Sequence, residues 1–252
     1  MFDLRLIRAD ALKLRRRRGM LALCGVLTFG ILALIFTVTG IQHAGNPLHN
    51  PPAGGFESYQ HNMLLLMLML LVVGAIVGAT AGAQDLESGV FRDLAATGRS
   101  RLALFGARVP GAWAIVLPLA ALAASAVAVV SLTMADGVPA PTTAMIVAGT
   151  AGALASGALS AAMSVGLAAL TGSKASVITA MLAFTLALAP LLSGIEFLGD
   201  ARRAIPTNAL LRIGDTPDQA IHMGLLTAIV VCLGWAGAAL GAGAWRTRSR
   251  EI

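Results

Sequence analysis

The chain is 252 residues long, 57% hydrophobic and only 12% charged, with a net charge of +6 and a mean hydropathy of +0.82. A soluble domain carries about 25% charged residues, so much of this surface must face lipid. No polar stretch is long enough for a second, soluble unit, and residues 1–252 read as a single all-α transmembrane domain.

The first element is residues 2–18. Leu4, Ile7, Ala11 and Leu14 recur at helical spacing while Arg5, Arg8 and Arg15 point elsewhere. This predicts a helix along the membrane surface, its apolar face in the acyl boundary and Arg15, Arg16, Arg17 and Arg18 against anionic headgroups. Arg15 to Arg18 followed by an apolar run imitates a signal peptide. That run is about 22 residues, longer than a signal core, and no small-residue cleavage site ends it. The expectation is an uncleaved span.

About 20 apolar residues cross the hydrocarbon core as a helix. Six stretches qualify: 20–41, 63–83, 109–135, 143–171, 175–195 and 223–245, none containing Asp, Glu, Lys or Arg. Pro118 is expected to kink the third and Pro190 to disturb the end of the fifth, whereas Pro110 near the start of the third is harmless. Fifteen of the 18 Lys and Arg residues fall on one side of this layout and three, Arg202, Arg203 and Arg212, on the other. The bias predicts cytoplasmic N- and C-termini in a bacterial plasma membrane. Cys24 and Cys232 lie in apolar runs and read as small buried hydrophobes.

Small residues repeat every four positions: Gly74, Gly78 and Gly82 in the second span, Gly152, Ser156, Ser160 and Ser164 in the fourth, Gly237 and Gly241 in the sixth. Such ridges let helices approach closely. They suit packing inside one bundle, a dimer seam or a substrate path. Residues 191–213 are amphipathic and read as short re-entrant helices or a capped external loop.

Several chemistries are excluded. Gly172-Ser173-Lys174 lacks the spacing of a nucleotide-binding loop, and no G-x-S-x-G frame with a membrane-embedded His exists for a hydrolase. His43, His49 and His61 sit in loop 42–62 with Glu57, but their spacings match no compact metal motif, so no metal is expected. The spans also lack the ionisable residues that proton- or cation-coupled carriers place in the membrane interior. A transporter built this way needs energy from a partner.

The connection 84–108 is the most specific stretch. Leu86, Val90 and Leu94 form a stripe on a short helix that Gly98 would end, with a further helical stretch from Ser100 to Arg108. Asp85-x-Glu87-x-Gly89-x-Phe91-Arg92-x-Leu94, followed by Gly98-Arg99-Ser100-Arg101 and Ala107-Arg108, resembles the segment between the second and third spans of ABC-2 type permeases of ATP-binding cassette exporters.

That resemblance implies an interfacial elbow helix at 2–18, a coupling helix in 84–101 and paired re-entrant helices at 191–213. Asp85, Glu87, Gly89, Phe91, Arg92, Asp93, Leu94, Arg99 and Arg101 would dock on a cytoplasmic ABC ATPase, with Lys174 in a second contact spanning Thr171 to Ser176. Two ATPase copies would carry ATP and Mg, and the chain itself would hold no cofactor and no catalytic site. A second permease chain, identical or homologous, and membrane lipid complete the expected partners; nucleic acid is not among them. The substrate class suggested is an amphipathic drug, peptide or lipid-like molecule. Two other readings stay open: a self-sufficient channel or secondary carrier, with Glu196 as its essential charge, and a non-transporting scaffold or sensor.

Overall fold

The computed structural model describes residues 4–87, 89, 100–216 and 221–249, which form helices and their connections without a strand. In chain order these are α1 (Leu4–Arg15), α2 (Arg18–Gly45), α3 (Phe56–Glu87), α4 (Arg101–Thr133), α5 (Thr143–Thr171), α6 (Lys174–Gly194), α7 (Pro206–Ile213) and α8 (Leu225–Ser249). A 3-10 segment, Glu196–Ala204, joins α6 to α7. Six of the helices, α2 to α6 and α8, are long and apolar enough to cross a membrane, as in an all-α multi-pass membrane protein.

The observed helices outrun the apolar windows. α3 begins at Phe56 instead of Met63, and α4 at Arg101 instead of Val109. Hydropathy marks the hydrocarbon, whereas helix ends are set by caps: the Ser100 hydroxyl accepts the Ala103 N–H at 3.2 Å and so starts α4. Pro110 therefore lies well inside α4, not near its start, and the helix continues through Pro118 as well. Pro190 has no N–H to offer Leu186; just before it the ladder widens to a π-helical turn, Phe184–Leu188, closed by the Ala189 N–H on the Phe184 carbonyl. A second π-helical turn, Val26–Gly30, lies in α2, where no proline accounts for it.

Successive long helices run in opposite directions. One end of the bundle, here the near end, carries α1, the end of α3, the start of α4, the turn at Gly172-Ser173 and the end of α8. The far end carries 46–55, 134–142, 195–216 and 221–224. At the far end the Gly54, Gly55 and Phe56 N–H groups donate to the Met134, Ser131 and Pro139 carbonyls, so the first two of these connections are held together by backbone.

α3 and α5 form the centre, and the ridge on α3 is why they can. A Cβ on Gly74 would stand 2.7 Å from the Gly157 carbonyl oxygen, on Gly78 2.3 Å from the Ala161 oxygen, and on Gly82 2.6 Å from the Ala168 Cβ. Ser156 and Ser160 are fully buried; the Ser156 hydroxyl donates to the Gly152 carbonyl of its own helix and Ser160 donates across to the Leu71 carbonyl. Gly152 touches α7's end, its absent Cβ leaving room for Gly214. The sixth long helix meets α5 through Gly243 against Gly166, whereas nothing stands within 4 Å of a Cβ on Gly237 or Gly241.

Within the far-end segment, α7 packs against α5 and α8. Trp235, about 15 Å along α8 from Leu225 at 1.5 Å per residue, donates its indole N–H to the Ala204 carbonyl at 2.8 Å. Pro206, Ala209 and Leu210 of α7 are buried. Side chains satisfy part of the backbone there. Asn208 donates to the Arg202 carbonyl and Arg202 to the Ser193 carbonyl, where a cation suits the C-terminus of α6. Glu196 is exposed at the start of the 3-10 segment.

Candidate functional site

Charged side chains converge at the near end, where α1, α3, α4 and α6 meet. Asp85 closes the apolar part of α3. Its carboxylate lies 3.5 Å from the Arg108 guanidinium and 3.3 Å from Lys13 of α1, and Lys13 also reaches Asp10 at 3.5 Å. Arg108 is 3% exposed and donates through Nη1 to the Gly82 carbonyl at 2.7 Å. An arginine can be held this deep only because its fork meets a carboxylate and a carbonyl together.

Packing brings α1 to this cluster. A Cβ on Gly111 of α4 would collide with Asp10, so the glycine lets α1 lie directly on α4. Leu14 is buried in a cluster with Phe105, Ala112 and Val116. Of the residues expected in the acyl boundary, Leu14 is buried against protein, Ile7 and Ala11 are half-buried like Leu6 and Asp10, and Leu4 is exposed along with Arg15 to Arg18.

Glu87 performs a different task two residues on. Its Oε1 accepts the backbone N–H of Lys174 at 2.6 Å, placing a carboxylate on the N-terminus of α6, where the helix dipole favours negative charge. The turn that presents this amide is specific: Gly172 takes the left-handed conformation at φ +74° to end α5, and the Ser173 hydroxyl accepts the Ser176 N–H to start α6. Gly89, also at φ +74°, is exposed with nothing close to it. A left-handed residue there turns the chain away from α3.

Asp85, Glu87 and Lys174 are thus brought together at one end, joined to α1 by Lys13. Arg101 opens α4 at the same end. Phe91, Arg92, Asp93, Leu94 and Arg99, with the Val90 and Leu94 stripe, lie outside the described residues. The sequence pattern did not single out Asp10 or Lys13, which sit 75 and 72 positions from Asp85 and are charged residues among many near the N-terminus. Arg108 stood in the motif as Ala107-Arg108 without a role of its own; a further signal marks it, as the last charge before 25 uncharged residues of α4.

Burial raises the Asp10 carboxyl above its ordinary value of 3.8, against the lowering effect of Lys13 and with a further upward push from Asp85. The folded chain therefore holds the Asp10 proton more tightly than the unfolded chain. Its favourable contribution is complete below the ordinary carboxylate range and is lost as pH rises through the raised value. Asp10→Asn is expected to raise the thermal unfolding midpoint at pH 7, with the gap to wild type closing as pH falls toward 4. Lys13 keeps Asp85 in that variant. A lower midpoint at pH 7 would mean that the Asp10–Lys13 pair outweighs the desolvation.

The far-end histidines do not converge. His43 faces the Asn50 carbonyl and Asp136, His49 faces Asn46, and His61 lines a separate cleft. Among the described residues no three His, Cys, Asp or Glu side chains come close enough to hold a metal. No family model matches the chain, and no curated protein is significantly similar to it.

Proposed function

We propose that the chain is the membrane-spanning permease subunit of an ABC-2 type exporter, working in a bacterial plasma membrane with a separate cytoplasmic ATPase. The observation that carries this reading is the joint at the near end. Glu87, at the entrance to the 88–100 connection, holds the first amide of α6, and Asp85, two residues earlier, holds Arg108 and Lys13. A push on that connection is transmitted to α1, α3, α4 and α6 at once. This is the mechanical requirement for a helix that couples an ATPase to a bundle, since a partner can bias two states only through contacts that differ between them.

Charge supports the orientation. The near end carries Arg15 to Arg18, Arg101, Lys174, Arg246 and Arg248, and the far end Arg202, Arg203 and Arg212, so the near end is cytoplasmic by the positive-inside rule. In this reading α1 is the elbow helix, and the 3-10 segment with α7 is the re-entrant pair in the outer leaflet. ATP and Mg belong to the two ATPase copies. A second permease chain supplies the other half of the pathway, and α8 suits lipid or that chain, since only 6% of its apolar window is buried within the chain.

The test is a pull-down of the tagged chain from its native membrane, with mass spectrometry of what accompanies it. A stoichiometric ATPase with a nucleotide-binding loop is the expected companion. Glu87→Arg sets a cation against the N-terminus of α6 and removes the clamp. It is expected to reduce recovered ATPase at least tenfold and to abolish export, with membrane insertion intact. Reproducible absence of any ATPase from the folded wild-type chain would favour a self-sufficient carrier and overturn the proposal.

A further inference from the structure

A cleft of about 450 Å³ opens at the far end between the outer turns of α2 and α3, walled on one side by the connections 46–55 and 134–142. Its size falls within the range of small-molecule sites, and none of the near-end cluster reaches it. Ile35, Phe56, Pro51 and Val138 give it an apolar wall. Glu57 is the one Asp, Glu, Lys or Arg side chain among the described residues that line it, and it is exposed at the mouth. No Lys or Arg occurs anywhere in 42–62 or 134–142; Asp136, also at that end, is paired with His43, so Glu57 is the carboxylate that the cleft offers. The local field therefore favours a cation over an anion.

Asn62 supplies the second observation. It lines the cleft yet is only 3% exposed, and its Oδ1 has no hydrogen-bond partner. The assignment of the amide is fixed by chemistry: the other half faces the Ser58 carbonyl at 2.8 Å, which can only accept, so that half must be Nδ2. An acceptor is thus left without a donor, an unfavourable state for a buried polar atom. The terminal amide torsion is broad, and turning Oδ1 toward a donor seated in the cleft exchanges the Nδ2 contacts with Ser58 for that donor.

We infer that this cleft binds an amphipathic amine: an apolar body against Ile35, Phe56 and Val138, with an ammonium group between the Glu57 carboxylate and the Asn62 carbonyl oxygen. An ammonium is the group that satisfies both, since it is a cation with three donors and no acceptor. Its source is either a free amphipathic amine or the headgroup of an aminophospholipid. The inference gives the exporter reading a substrate class, but the site is testable without any ATPase, so the two stand or fall separately.

The probe is dansylcadaverine, an aromatic body with a primary ammonium, titrated against the full chain in phosphatidylcholine nanodiscs and read by dansyl fluorescence. Saturable binding is expected, at least tenfold tighter than that of the N-acetylated probe, which lacks the charge. Glu57→Gln, a change at an exposed position, is expected to weaken it at least fivefold, and Asn62→Leu at least tenfold. Asn62→Leu should leave the unfolding midpoint unchanged or raised, because it removes the orphaned acceptor. Competition on replacing phosphatidylcholine by phosphatidylethanolamine would assign the site to a lipid headgroup; undiminished binding would assign it to a free amine. Equal uptake of charged and acetylated probes, or binding indifferent to Glu57→Gln, would overturn the inference.

Discussion

Arg108→Leu is expected to destabilise the chain by roughly 3–5 kcal/mol, the range for removing one partner of a buried ion pair. Arg108 is 3% exposed, and Asp85, which faces it at 3.5 Å, is nearly as enclosed. Without the guanidinium, Asp85 keeps only Lys13, which is two-fifths exposed and a weaker, screened partner. The carbonyl of Gly82 loses its charged donor as well. The decisive comparison is with the Asp85→Asn/Arg108→Leu double variant, measured by thermal or dodecyl-sulfate unfolding in the same detergent. Because the cost comes from the carboxylate left behind, the double variant should recover at least 1 kcal/mol of the single variant's loss. Additive losses would mean that the two residues act separately, and that the near-end joint is a coincidence of proximity.

The parts of this molecule that were legible in the sequence are those governed by the solvent. Lipid demands runs of about 20 apolar residues, and all six runs correspond to long helices. It says nothing about which helix is inside. α5 has a peak hydropathy of 1.7 and α8 one of 2.0, yet 72% of the first window and 6% of the second are buried. In water an apolar stripe would have marked the buried face; here every face is apolar, and small residues recur in both helices, packed in α5 but open at Gly237 and Gly241 of α8. The near-end cluster was half legible for a related reason. Asp85 and Glu87 stand out because they end an apolar run, but their partners Lys13, Arg108 and the Lys174 amide are fixed by helix lengths and by the Gly111 contact with α1. A backbone amide has no signature in a sequence at all. Part of the apolar face of α1 packs on α4 through Leu14 while Leu4 stays exposed, because amphipathicity does not say whether the apolar partner is a bilayer or a neighbouring helix.

Gly78→Val is expected to be the most damaging substitution of the α3 ridge, costing about 3 kcal/mol or more, at or beyond the upper end of ordinary overpacking. A Cβ at Gly78 would stand 2.3 Å from the Ala161 carbonyl oxygen and 2.9 Å from its carbonyl carbon and Cα. These are backbone atoms of α5, which no rotamer change can move aside, so α3 and α5 must separate. Neither helix can give way, because Gly74 meets Gly157 and Gly82 meets Ala168 on either side of the same contact. Gly78→Ala is expected to cost about 1–3 kcal/mol by the same geometry. Gly241→Val is the control, since nothing lies within 4 Å of its Cβ position, and it should leave the unfolding midpoint of the isolated chain within error of wild type. Fluorescence-detected size exclusion of tagged variants, followed over a temperature ramp, separates the outcomes. Equal loss in the Gly78 and Gly241 variants would mean that α8 carries a contact as demanding as the α3–α5 seam. Loss at Gly78 alone makes that seam the contact the fold can least relax.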